Sequence, residues 1–284
     1  MNIFRARASS VFWRTAEAIF RWIMRFPRIS RRLDHAAVLF HRMHENENGD
    51  PQTNGEAWLL KTLAAAGRLN TVFDVGAHAG GWAALVLEAN PRAVVHCFEI
   101  CPPTFERLAA HYDGDPRVIT NPFGLSDATG DISVKYCPDA DYLSSVVEIV
   151  FVPEAKTILG RVDRGDAYCA RYGLEHIDLL KLDVEGAEHM VLRGFGELVT
   201  PDRIPVIQFE YGQVNIVSKF LLRDFHAFFN ARGYHVGKLF PAFVRFGRYD
   251  YEYENFIGYN HIAVADDYLR RRLQRAEFHD CLGN

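Results

Sequence analysis

From residue 56 onward the chain alternates between helix-like segments and short apolar runs rich in β-branched residues, a pattern that restricts the fold more than any other feature. A helical stretch, EAWLLKTLAAAGRL, precedes the first run, Thr71 to Gly76. Further strand candidates are Ala93 to Glu99, Arg117 to Asn121, Ile177 to Asp183 and Ile204 to Glu210. Strands separated by helices pair in parallel, so this order predicts an open α/β sheet with helices on both faces. Two late runs, Tyr234 to Phe240 and His261 to Ala265, read as a closing antiparallel pair. Asp74, Glu99, Asp183 and Glu210 stand at or near the carboxyl ends of four of these runs. That edge is where open α/β sheets bind ligands.

The first strand turns directly into a helix through FDVGAHAGGWAALVLEA, with Asp74, Gly76, His78, Gly80 and Gly81 around the turn. Glycine there permits positive φ and close backbone approach. A dinucleotide enzyme would show G-x-G-x-x-G to hold a pyrophosphate on the helix N-terminus. Here the spacing is Gly76-x-x-x-Gly80-Gly81, which suits a ligand without pyrophosphate. Glu99 ends the second strand, where a carboxylate can accept both hydrogen bonds of a ribose diol.

The words VFDVGAHAGG, FE at Phe98 and Glu99, LSDATG (Leu125 to Gly130), IDLLKLDVEGAEHMVLRGF (Ile177 to Phe195) and FEYG occur in that order. In wording and order they resemble the FkbM-type methyltransferase family, from about residue 56 to residue 265, and KLDVEGAE (Lys181 to Glu188) is the most specific segment. The resemblance implies a class I methyltransferase Rossmann-like fold, a seven-stranded, mostly parallel sheet with an antiparallel last strand. It also implies S-adenosylmethionine as donor and, in most cases, methylation of a hydroxyl on a sugar, glycolipid or secondary metabolite. By position, Asp74, Gly76 and Gly80 would line the methionine part, Glu99 the ribose, and Ser126 with Asp127 the adenine side, and His78 and Asp183 complete the expected donor set. Asn121-Pro122-Phe123-Gly124 departs from the small apolar residues more usual before the SD pair.

Methyl transfer requires the acceptor oxygen to be held behind the methyl and its proton removed. Asp183, Glu188 and Glu210 are the catalytic candidates, and Glu185 shares their edge. Together these carboxylates can act as base, as hydroxyl clamp, or as ligands of one hard cation such as Mg²⁺. Asp183 is a base or a helix cap; Glu188 is catalytic, or a first-turn charge paired with Arg193. His189 and His235 are further bases or structural histidines. Lys181, inside an apolar strand, must send its ammonium to a carboxylate or to water. The segment from Phe243 to Tyr259 interleaves aromatic residues with Arg245 and Arg248, as a wall for sugar rings or as ordinary packing.

Residues 1 to 33 hold eight arginines against Glu17 and carry a charge of +7, within a chain of net −4. An acidic body behind a basic start argues against a nucleic-acid binder. Bulky residues recur among those arginines without a run of ~20 apolar residues, so the segment reads as an amphipathic helix ending near Pro27. Its apolar stripe either packs on the domain or docks on an anionic membrane surface. His41 and His44 read as a solvated face rather than a metal pair. Five scattered cysteines, Cys97, Cys101, Cys137, Cys169 and Cys281, lack zinc-site spacing and suit a reducing, cytoplasmic setting. The expected organisation is a basic extension and loop over 1–55, a methyltransferase domain over 56–270 and a tail over 271–284. Methylation of nitrogen on a small molecule and a donor-binding scaffold without chemistry are the alternatives. No D/N-P-P-Y/F block follows the fourth strand; DVEG stands there instead.

Overall fold

The computed structural model describes residues 11–138, 141, 144–147 and 155–274; the first ten residues of the basic segment, and Cys281 in the expected tail, lie outside them. The chain divides into two compact units, Met1–Glu45 and Asn46–Asn284. The first contains helices α1 (Val11–Ile23) and α2 (Pro27–His44), the second opening with proline at its first turn. Proline is tolerated there because the first N–H groups of a helix have no intrahelical partner. Trp13, Ile19, Phe20 and Trp22 on α1 and Ile29, Leu33, Phe40 and Met43 on α2 are all exposed.

The second unit is built on an eight-stranded sheet of order β10-β9-β11-β8-β7-β1-β2-β3. Its parallel part comprises β1 (Thr71–Val75), β2 (Val94–Phe98), β3 (Val118–Asn121), β7 (Leu179–Leu182) and β8 (Val206–Glu210). Strand β11 (Asn260–Val264) inserts antiparallel between β8 and β9 (His235–Phe240). The expected closing pair is therefore present, but the count of seven strands is corrected to eight. Pro241 and Ala242 form a tight turn that returns the chain as β10 (Phe243–Phe246), with Phe243 opposite Phe240. A second sheet, of order β4-β6-β5, comprises β4 (Gly124–Ser126), β5 (Gly130–Tyr136) and β6 (Lys156–Arg164).

Alternation along the central strands feeds two cores. Val72, Val95, Leu179 and Val206 pack with Leu59, Leu60 and Leu63 of α3 (Glu56–Ala65) and with Trp82 and Val86 of α4 (Gly81–Ala89). Phe73, Phe98, Leu180 and Ile207 pack with Tyr168 of α6 (Gly165–Tyr172), with Val191 and Phe195 of α7 (Glu188–Phe195), and with Phe225 and Phe229 of α9 (Leu222–Asn230). Helices α5 (Pro102–His111), α8 (Val214–Ser218) and α10 (Asp267–Leu273) complete the labelled elements, and α10 crosses the expected start of the tail.

One row interrupts the first core. Register places Asp74 opposite Lys181, and Lys181 opposite Gln208, on three neighbouring strands. The same parity that turns Val72 and Leu179 towards α3 and α4 turns this polar row that way, just below the carboxyl edge. Burying it is tolerable because its members pair. Lys181 Nζ lies 3.3 Å from Asp74 Oδ1 and 3.0 Å from Asp183 Oδ2. Gln208 Nε2 donates to Glu56 Oε1 at 2.6 Å and to Asn260 Oδ1 at 2.8 Å. Removing one partner of such a network would cost more than the network contributes, because a buried charge would be left alone.

Candidate functional site

The turn after β1 is fixed by its neighbours. The amides of Gly76 and Ala77 both donate to Phe98 O at 3.0 Å, and Asp183 N donates to Val75 O at 3.0 Å. Gly76 has φ +86, and a Cβ there would stand 1.8 Å from the carbonyl oxygen of Asp183. Gly80 has φ +87, and a Cβ there would stand 2.4 Å from the Tyr112 ring. Both glycines thus admit other parts of the protein as close neighbours. At this edge positive φ recurs at two non-glycine residues, His78 at +49 and Glu185 at +51. Such conformations cost of order 1–3 kcal/mol and persist where the surroundings over-determine them.

An open cleft lies above this edge, walled by Gly76, His78, Glu99, Ser126, Asp183 and Glu185. Glu99 is buried and receives Cys101 N at 2.8 Å on Oε1 and His78 N at 2.9 Å on Oε2. Burial raises its pKa against those two backbone bonds. Each oxygen retains a second acceptor site, directed by the fixed carboxylate. Ser126 reaches the cleft wall, whereas Asp127 turns its carboxylate to within 4.0 Å of Arg193. Asp74 is fully buried beneath the edge; burial raises its pKa to about 6, with Lys181 opposing. Gly80 is occupied with Tyr112, whose hydroxyl donates to Gly80 O at 2.7 Å.

Several cleft residues had no signal in sequence. Asp141, Ser144, Ser145 and Val146 close one side. His78 Nε2 lies 2.9 Å from Asp141 Oδ1, and Arg107 binds the other carboxylate oxygen. Although burial opposes them, these two partners hold the Asp141 carboxyl below its usual range. Ser145 Oγ donates to Glu185 O at 2.8 Å, tying that side to the DVEG turn. No periodicity marks this segment, so only the fold shows what it faces.

A second cleft opens on the other side of Asp183. Asp183 is common to both walls. Glu210 belongs to the second cleft, and burial with nearby Asp183 and Glu185 pushes its pKa well up. Carboxylate oxygens of Asp183, Glu185 and Glu210 lie within 4.8 Å of one another. Glu188 reaches neither wall. It is almost wholly buried, accepting the amides of Val184 and Gly186 at 3.2 Å each on Oε1, and Oε2 has no hydrogen-bond partner among the described residues. Burial raises its pKa to about 7. Its geometry is that of a brace for the 184–186 turn.

The two histidines also stand apart. His189 stacks on Phe220 with ring centroids 5.1 Å apart, and His235 lies 3.8 Å from Asp267. Most of the aromatic segment packs: Phe243 stacks on Phe240 at 4.8 Å, Phe256 on Tyr211 at 5.3 Å, and Tyr249 donates to Glu254 at 3.0 Å. Tyr259 alone of these aromatics is a wall residue of either cleft among the described residues.

A parallel core with an antiparallel strand inserted next to β8, and acids gathered above the first turn, define a methyltransferase-like α/β domain. The chain belongs to the FkbM methyltransferase family, whose model, the methyltransferase FkbM domain, matches residues 74–236. It is 28% identical over 148 residues to the 2-O-methyltransferase NoeI of Sinorhizobium fredii, covering 46% of this chain and 60% of that protein. It is also 28% identical over 161 residues to the AMB antimetabolite synthetase AmbE of Pseudomonas aeruginosa, covering 44% of this chain and 8% of that one. The match thus spans less than two thirds of either relative's length. Among solved structures, methyltransferase FkbM of Methylobacillus flagellatus KT is similar at 15% identity and a TM-score of 0.44, covering 68% of this chain and 43% of that one.

Proposed function

We propose that the protein transfers the methyl group of S-adenosylmethionine to a hydroxyl on a sugar or sugar-like acceptor. The observation that carries this reading is the position of Asp183, common to the wall of the cleft below Glu99 and the wall of a second cleft beyond it. The first cleft fits the donor's chemistry. Glu99, Asp141, Asp183 and Glu185 suit a ligand bearing a sulfonium and an ammonium, and Glu99 keeps acceptor sites for a ribose diol. When bound, S-adenosylmethionine supplies a methyl already activated by its sulfonium. The protein's own work is then orientation and proton removal.

Orientation can lower a barrier by ~7–11 kcal/mol, whereas a positioned base typically adds ~10²–10⁴-fold, so the two-cleft geometry outweighs the base. Asp183 accepts the acceptor's proton as the new bond forms, and Lys181 at 3.0 Å holds that carboxylate in place. Because Lys181 already supplies positive charge at Asp183, we favour this metal-free base over a Mg²⁺ site built from Asp183, Glu185 and Glu210. The 2-O-methyltransferase activity in NoeI's name supports an oxygen acceptor.

Calorimetry tests the donor half. S-adenosylhomocysteine should bind the full chain, and Glu99→Ala should weaken it on the order of 10- to 100-fold, as expected for two lost charge-assisted hydrogen bonds. Unchanged affinity in a folded Glu99→Ala protein would remove the donor assignment. Labelled methyl transfer onto glycosides, glycolipids and amines then decides between oxygen and nitrogen.

We also propose that α1 and α2 place the protein at an anionic membrane surface. No described helix is long and apolar enough to cross a membrane. Support comes from the charge of +7 over residues 1–33 together with exposed Phe20, Trp22, Leu33 and Phe40.

A further inference from the structure

The second cleft has a definite chemical character. Asn48, from the loop before α3, Glu56 at the start of α3, and Trp82 of α4 form one side. Glu210 and Asn260 form the other, at the ends of two antiparallel neighbours that register them opposite each other. Among the described wall residues Lys181 is the one lysine or arginine, and its ammonium is already engaged by Asp74 and Asp183. A phosphate or carboxylate entering here would meet the carboxyl groups of Glu56 and Asp183 with no cation to spare. Carboxylates and amide oxygens instead accept O–H donors.

One group asks for the opposite partner. Trp82 is 7% exposed and lines this cleft, and its indole N–H has no acceptor among the described residues. Indole can only donate, and a buried donor left unpaired costs of order 1–3 kcal/mol. An uncharged ring bearing hydroxyls answers both demands. Its O–H groups reach the carboxylates and amides, and one of its oxygens accepts from the indole, while the ring face lies near an aromatic wall.

We propose that this cleft is the acceptor subsite, that it takes an uncharged polyhydroxylated ring and rejects sugars bearing phosphate or carboxylate, and that Trp82 is its specificity-determining donor. The inference rests on the methyl-transfer reading for its catalytic consequence, but the binding preference stands by itself.

The test uses full-length protein saturated with S-adenosylhomocysteine, with binding measured by saturation-transfer NMR and calorimetry. The probes are methyl glycosides of uncharged hexoses and 6-deoxyhexoses, a hexose phosphate and a hexuronate. Uncharged glycosides should bind and the anionic sugars should not. Trp82→Phe keeps an aromatic ring near Lys181 but lacks the N–H, and should weaken glycoside binding about five- to tenfold with donor affinity unchanged. Asn48→Lys, on a partly exposed loop, should admit the anionic sugars, a gain that a merely structural role would not produce. Anionic sugars binding as tightly as uncharged ones to the wild type, no binding by any uncharged glycoside, or an unaltered affinity in Trp82→Phe would each overturn the proposal. Selective binding without methyl transfer would uphold the subsite and defeat the catalytic reading.

Discussion

Lys181 and Asp183 lie two residues apart where β7 ends, and this closeness governs what Asp183 can do. Burial alone would lower the lysine's pKa, but Asp183, Asp74 and Glu56 together hold it above its ordinary value, so it stays charged. That ammonium, 3.0 Å from Asp183 Oδ2, fixes where the carboxylate sits, which is the orientation the proposed base role needs. Asp183→Asn should therefore lower kcat by roughly 10²–10⁴-fold with donor affinity nearly intact. Chelator should leave wild-type activity unchanged, and near-wild-type kcat in the variant would move the base elsewhere. Glu188 leads to a pH effect. Its folded pKa, about 7, exceeds the ordinary 4.5, so its contribution is fully present below 4.5 and is lost as pH rises through 7. Glu188→Gln does not ionise, so thermal midpoints from pH 5 to 8 should show the variant gaining on the wild type as pH rises. A constant difference would mean that Glu188 does not titrate in that window. The acids at the strand ends were legible in sequence because a strand's end is where its apolar run stops. Lys181's partner was not, because Asp74 is 107 residues away and only register brings the two together. The role of Glu188 was hidden for a similar reason: a brace and a catalytic acid look alike until the amides they bind are visible.

At the level of elements, the turn joining β1 to α4 holds the two clefts in register, since Gly76 rests against the backbone that carries Asp183. Gly76→Ala would combine a disfavoured φ with a clash against backbone that cannot swing aside. We expect a loss of about 2–4 kcal/mol, read from denaturant unfolding, and impaired donor binding in whatever remains folded. A stable variant with normal affinity would show that the turn can shift without consequence. Seven of the eight strands of the large sheet were legible as apolar runs, the central ones because strands buried on both faces are apolar throughout. Strands β4, β5, β6 and β10 were not. β4 is three residues long, β5 and β6 keep largely half-buried or exposed patterns, and β10 is a short return stroke hidden inside an aromatic stretch. That stretch reads in sequence as a sugar wall or as ordinary packing; most of its rings pack on the protein, and Tyr259 with the loop beginning near Asn48 supplies wall residues.

For the whole molecule, charge and greasiness are unevenly divided. Each arginine near an anionic surface contributes about 1 kcal/mol, falling away within a Debye length, and exposed aromatic side chains add burial in the interface. Full-length protein should sediment with phosphatidylglycerol vesicles, less so at high salt and hardly at all with phosphatidylcholine alone. Phe20→Ser with Trp22→Ser should weaken that association. Equal sedimentation with both vesicle types, or indifference to the double variant, would identify the helical face as a protein-packing surface. The two clefts draw on separate stretches of chain. The first uses the β1 turn, Glu99, Ser126, Asp141 with Ser144 to Val146, and the DVEG turn; the second uses Asn48 to Glu56, Trp82, Glu210 and the start of β11, and Asp183 is their common member. The Asn46 side chain donates to Asn54 O at 2.8 Å and to Leu239 O at 3.1 Å, closing the first of those stretches on itself and anchoring it to β9. A segment tethered at its base in this way behaves as a cassette: on the proposed reading, residues 48–53 could be exchanged by grafting to alter acceptor choice, with Asn54 kept because it holds Glu56 and Gly55 kept because a Cβ there would stand 2.3 Å from Phe240 O.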